Sequence, residues 1–209
     1  GLALSGEGRA QASMGIAVGD YNRDGRVDFL ISTFSDDYKT LFRNEGNLSF
    51  SDATFEAGLA EPTIPFLAWG DGFIDFDNDG LKDILITNGN PKAVNDYDYQ
   101  SAMFGIKRSR IVGKESQQRG LVLLEHLRAI DVGNFVFRNN GDLTFTNKAI
   151  SWGLTDTSYS TGAAYADLDN DGDLDLVVNN INEEAIVYEN QLQHDKDNSH
   201  FLRIQLKGK

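Results

Sequence analysis

Short apolar runs bounded by glycine and aspartate set the rhythm of this chain. Phe29-Leu-Ile31, Ile84-Leu-Ile86 and Leu176-Val-Val178 are continuous apolar triplets that predict buried strands. Ahead of each lies a run richer in small residues: Ile16-Ala-Val-Gly19, Asp71-Gly-Phe-Ile74 and Ala163-Ala-Tyr-Ala166. A glycine opens each of these, at Gly15, Gly70 and Gly162, and small residues let backbones approach closely, as inner strands around a shared axis require. A third element recurs as Leu41-Phe-Arg-Asn44, Val136-Phe-Arg-Asn139 and Val187-Tyr-Glu-Asn190. In the first two copies a turn follows, Glu45-Gly-Asn47 and Asn140-Gly-Asp142, and then the alternating strands Leu48-Ser-Phe50 and Leu143-Thr-Phe145. Glycine and asparagine supply the positive φ that such hairpins need.

Repeated units of four antiparallel strands predict an all-β chain built from β-propeller blades, about three of them, with a partly helical insertion. The blades are expected at about residues 10–62, 63–155 and 156–198. Asp20 and Asn44 are 24 residues apart and Asp167 and Asn190 are 23 apart, but Asp75 and Asn139 are 64 apart. The second repeat therefore carries an insertion at about 90–132. Leu121, Leu124 and Leu127 share one face and predict a short helix over Glu115–Ile130. Tyr97, Tyr99 and Phe104 open the insertion, with Lys107, Arg108, Arg110, Lys114 and Arg119 behind them. This stretch reads as a solvated loop with aromatics packed on the blade, ahead of a recognition patch for a glycan or an acidic partner. Antiparallel strands reverse direction at each connection, so an insertion between strands two and three emerges opposite the loops joining strands one and two.

Those loops carry the chemistry. They read Asp20-Tyr-Asn22-Arg-Asp24-Gly25-Arg26-Val-Asp28, Asp75-Phe-Asp77-Asn-Asp79-Gly80-Leu81-Lys-Asp83 and Asp167-Leu-Asp169-Asn-Asp171-Gly172-Asp173-Leu-Asp175. Oxygen side chains fall at positions 1, 3, 5 and 9, glycine at 6, and the carbonyls of Arg26, Leu81 and Asp173 at 7. A hard cation such as Ca²⁺ takes six to eight oxygens at about 2.3–2.6 Å. Carboxylates about 4 Å apart repel by ~1 kcal/mol even in water, and a divalent cation removes that cost. Asp and Asn also cap turns unaided, but three copies in one frame favour about three Ca²⁺ sites. Position 12 is Ile31, Ile86 and Val178, so the bidentate Glu of an EF-hand is missing. The Gly-Gly-x-Gly-x-Asp pattern of calcium-binding nonapeptides is absent too.

The net charge of −13 argues against nucleic acid as a partner. No apolar run is long enough to span a membrane. With no Cys, disulfides, thiolate sites and thiol catalysis are excluded. No Gly-x-Ser-x-Gly elbow occurs, and His126, His194 and His200 have no partner at ligand spacing, so no catalytic residue is assigned. Calcium loops that need roughly 10⁻⁴–10⁻³ M calcium place the chain in an extracellular, periplasmic or cell-surface setting. Gly1 at the start implies a processed or excised chain.

The segments Met14-Gly-Ile-Ala-Val-Gly-Asp20, Thr40-Leu-Phe-Arg-Asn44, Ile74-Asp-Phe-Asp-Asn-Asp-Gly80 and Ala164-Tyr-Ala-Asp-Leu-Asp-Asn-Asp-Gly-Asp173 carry a resemblance. They resemble the FG-GAP/VCBS repeats of integrin α-subunit propellers and of exported bacterial proteins. The likeness is closer to the bacterial cartilage acidic protein 1-like family, in which an ASPIC/UnbV domain follows the propeller. Residues 199–209 look like the first strand of that domain. The resemblance implies a propeller of about seven blades, of which this chain is a part. It also implies a calcium-binding, non-catalytic extracellular module for adhesion or for binding protein or carbohydrate. The alternative is the propeller part of a calcium-dependent polysaccharide-degrading enzyme.

Overall fold

The computed structural model describes residues 2, 4–89, 92, 97–108, 113–127 and 132–192. The strand expected at 199–209 lies outside these residues. The apolar runs form three antiparallel sheets in chain order. β1 (Ser13–Gly19), β2 (Asp28–Thr33), β3 (Thr40–Gly46) and β4 (Ser49–Asp52) make the first. After the helical turn α1 (Ala60–Thr63), β5 (Ala68–Ile74), β6 (Asp83–Asn88), β7 (Phe135–Asn139) and β8 (Phe145–Asn147) make the second. β9 (Ser160–Ala166), β10 (Asp175–Asn180) and β11 (Ile186–Tyr188) make the third. This is the blade-like, all-β arrangement that the repeat predicts.

Alternation along the second strands produces two separate cores. Leu30 pairs across the ladder with Ala17 and Leu41, and all three point at the second sheet. They meet Phe73, Ile84, Ile86 and Phe137 in the first core. Leu85 points the other way and joins Ile74, Val136, Leu176 and Val178 in the second. Leu30, Ile84, Ile86 and Val178 are fully buried, which at about 25 cal/mol per Å² makes the two inter-sheet layers the main apolar stabilisation of the fold. The continuous apolar triplet Ile84-Leu-Ile86 is thus explained: the middle sheet has a neighbour on both faces.

The inner strands pack at backbone distance. A Cβ on Gly15 would lie 2.3 Å from the carbonyl oxygen of Trp69 in β5, and one on Gly70 would lie 3.2 Å from Cα of Gly162 in β9. Gly46 and Gly141 take φ of +83° and +80° in the two hairpin turns, as expected. Leu48 and Leu143 share the left-handed region, at +60° and +72°.

Among the described residues the insertion holds two helices where the periodicity predicts one. α2 (Tyr97–Arg108) replaces the expected solvated loop, and α3 (Lys114–His126) forms near the predicted place. Asp98 sits in the first turn of α2 and Lys107 and Arg108 in the last, matching the helix dipole. The Arg108 guanidinium lies over the Phe104 ring at 5.7 Å, a contact that four-residue spacing on a helix favours. Tyr97 and Phe104 are 81% and 61% exposed, so neither is packed on the blade. Gly120, buried within α3, faces Met103 of α2, and a Cβ there would make ordinary van der Waals contact with its thioether. Because β6 ends at Asn88 and β7 begins at Phe135, the insertion leaves the second sheet at the end away from residues 75–83.

Candidate metal centre

Each aspartate loop bridges the first two strands of its sheet, and two left-handed steps bend it. Position 4 takes φ of +60° at Arg23, +52° at Asn78 and +67° at Asn170, and the glycines at position 6 follow at +80°, +81° and +103°. Only glycine holds the latter without strain. The position-5 carboxylate then folds over the next turn: Asp24, Asp79 and Asp171 accept the backbone N–H of Arg26, Leu81 and Asp173 at 2.9, 2.8 and 3.1 Å. At position 1, Asp20 and Asp75 accept the N–H of Gly25 and Gly80 at 2.8 and 3.0 Å.

In the second loop Asp75, Asp77 and Asp79 bring carboxylate oxygens within 4.8 Å of one another, and Asp167, Asp169 and Asp171 do so in the third. In the second loop the Oδ1 atoms of Asp75 and Asp77 are buried with no hydrogen-bond partner. Burial pushes Asp75 above the usual carboxylate range, and the charge on Asp79 adds to the shift. Buried, mutually repelling, oxygen-only donors fit a hard divalent cation such as Ca²⁺. In the first loop no such trio forms among the described residues. Asn22 stands at position 3, and Asp24 Oδ2 takes the Asn22 amide at 2.9 Å and the Arg26 guanidinium at 2.5 Å.

Position 9 joins each loop to a strand. Asp28, Asp83 and Asp175 are buried, and both oxygens of each accept a backbone N–H. One comes from loop position 2, at Tyr21, Phe76 and Leu168, over 3.2, 3.1 and 2.8 Å. The other comes from the third-element asparagine, at Asn44, Asn139 and Asn190, over 2.8, 2.9 and 2.9 Å. Burial raises Asp28 and lifts Asp83 to about 7, even against two N–H donors. These carboxylates pin the loop to the neighbouring strand, and they stand apart from the trios of positions 1, 3 and 5.

Contacts that the sequence did not disclose tie the loops together. Asn139 donates its amide to the carbonyl of Lys82 at 3.1 Å and to that of Tyr21, in the preceding loop, at 2.9 Å. Asn190 repeats this with Leu174 at 3.3 Å and Phe76 at 2.8 Å. In the opposite sense, Arg23 donates to the carbonyls of Gly80 and Asp79 at 3.0 and 3.3 Å, and Asn78 to that of Gly172 at 3.3 Å. The recurrence of asparagine was visible in the sequence, but not the partners it reaches.

Arg138 is the other residue that the motif left out. Its Nε lies 2.5 Å from Asp77 Oδ2 and its Nη2 2.6 Å from Asp79 Oδ2. The equivalent Arg43 is held elsewhere, by Glu45 at 2.8 Å and Glu56 at 3.2 Å. Of the tryptophans, Trp152 packs edge-on to Phe76 at 6.3 Å, whereas Trp69 is 38% exposed and donates its indole N–H to Gly89.

No helix among the described residues is long and apolar enough to cross a membrane. No curated protein matches the chain. The FG-GAP-like repeat pattern matches residues 20–86 and 123–178, more than half of the chain, and those spans hold all three loops. Three antiparallel sheets, each with such a loop between its first two strands, agree with that match, and the chain belongs to the FG-GAP-like repeat family.

Proposed function

We propose that this β-propeller-like module is a calcium-binding, non-catalytic extracellular segment used for adhesion or for holding a protein or carbohydrate ligand. The observation that carries the reading is the second loop, where Asp75, Asp77 and Asp79 converge and two buried oxygens lack a partner. Calcium bound there would neutralise the trio and fasten β5 to β6, so its role is to stiffen the loop face. Asp167, Asp169 and Asp171 would hold a second ion. Asp20, Asn22 and Asp24, with an amide in place of one carboxylate, would hold a third. Millimolar calcium outside the cytosol suits such loops and supports the extracellular setting. A cleft of about 670 Å³ between the second and third sheets supports a ligand role, since Trp152 and Tyr188 stand there beside Glu189 and Gln191.

Calorimetric titration of chelated protein with calcium, with melting curves at both ends, tests the reading. Uptake of close to three ions with a raised melting temperature is expected. At a free concentration a hundredfold above Kd, the gain is about 2.7 kcal/mol. No uptake at millimolar calcium, or an unchanged melting temperature, overturns it.

A further inference from the structure

Arg138 does more than balance charge. Asp79 has committed Oδ1 to the N–H of Leu81, so Oδ2 is the oxygen it can offer to an ion, and Arg138 holds that atom. The same guanidinium takes Asp77 Oδ2, which leaves it bridging positions 3 and 5 of the loop. Its side chain is one-third exposed, so an outward path to water is open to it. We propose that Arg138 is a tethered competitor for the cation of the second loop, making that site weaker than it would otherwise be and releasing the guanidinium when the ion enters. This inference rests on the calcium reading above.

The geometry explains why competition, and not support, is the outcome. A guanidinium and a divalent cation that share the oxygens of two adjacent carboxylates repel each other within a partly buried loop, where screening is weak. No arginine at this strand position bridges positions 3 and 5 in the neighbouring repeats, although within the first loop Arg26 takes Asp24 Oδ2. Arg43 is drawn off by Glu45 and Glu56, and the third repeat carries Glu189 at this position. One strand position, read as Arg138, Arg43 and Glu189, therefore differs among the three repeats: a guanidinium bound to the loop, a diverted one, and a carboxylate in its place.

Calcium titrations of the wild-type chain, Arg138→Gln and Arg43→Gln test this. In Arg138→Gln one site should tighten about tenfold, the ratio that a charge-assisted pair of ordinary strength sets. Arg43→Gln should leave the isotherm unchanged. The rise in melting temperature on adding calcium should also be larger in Arg138→Gln than in wild type; a merely structural arginine would lower both melting curves and leave the rise alone. Should Arg138→Gln fail to fold, Glu189→Arg provides the reverse test on an exposed residue, with one site expected to weaken about tenfold. Unaltered or weaker binding in Arg138→Gln, with calcium bound in wild type, overturns the competitor role alone. Absence of calcium binding in wild type overturns the metal reading and this inference together.

Discussion

Asn139→Ala measures how firmly one sheet holds the loop of the one before it. The side chain is 2% exposed. It makes three hydrogen bonds: amide to Tyr21 and Lys82 carbonyls, and Oδ1 from the N–H of Gly141 at 3.0 Å. At about 1 kcal/mol net for each, the truncation costs ~3 kcal/mol, before any penalty for orphaned partners. Asn44→Ala is the internal reference. Asn44 bonds the Val27 carbonyl at 3.0 Å and the N–H of Gly46 at 2.9 Å, with no preceding loop to reach among the described residues. Its partners are more accessible to water, so its loss costs about 1–2 kcal/mol. For a chain of this length each kcal/mol moves the melting temperature by about 2–4 °C, which puts Asn139→Ala ~6–12 °C below wild type and Asn44→Ala ~2–8 °C below. Urea unfolding in chelator, with slopes checked for equality, gives the comparison without metal stabilisation. If the two variants lose the same stability within about 0.5 kcal/mol, the bond to Tyr21 contributes nothing and the clamp is refuted.

Asp77→Ala should lower the calcium stoichiometry by one in calorimetry; an undiminished count would remove that residue from the ligand set. Gly15→Ala should destabilise by about 1–3 kcal/mol, because the new methyl meets a carbonyl at 2.3 Å, while Gly162→Ala, with nothing within 4 Å, should be nearly neutral in thermal melts. Equal effects would contradict the close approach of β1 to β5. Asp71 is lifted from 3.8 to about 7 by burial, with the Ser32 N–H and the Lys39 ammonium pulling against the shift. Its folded value lies above its unfolded one, so the stability it contributes is full below about pH 4 and is lost as pH rises through 7. Asp71→Asn should therefore gain on wild type between pH 5 and pH 8 in urea midpoints, and parallel pH profiles would show that Asp71 titrates normally.

Periodicity disclosed what depends on local patterning. The apolar triplets became the second strands because each must face a sheet on at least one side, and the aspartate frames became the loops because Gly25, Gly80 and Gly172 permit the bend. The glycines at 15 and 70 were legible as points of close approach for the same steric reason. What stayed hidden depends on contacts distant in sequence. Arg138 is 61 residues from Asp77, and Asn139 is 118 from Tyr21. Helix α2 escaped notice because its apolar residues cover no core; none is buried, and its register is set by end charges and the Phe104–Arg108 pair.

The clamp has a consequence for how such chains can grow. The second repeat uses both halves of the fastening, the Asn139 amide toward the sheet before it and the Phe76 carbonyl toward the sheet after it. The first and third repeats carry the same residue pattern at Asn44 and Leu168. Each half depends on one repeat alone, so a duplicated unit inserted beside its parent would restore this clamp with no compensating substitution. Lengthening of the array is thereby self-fitting, whereas reversing the order of donor and acceptor within one unit would break the joints on both of its sides. The 46 residues between Asn88 and Phe135 fit the same logic. They enter at a connection that holds neither half of the joint, where length can change without disturbing the seam.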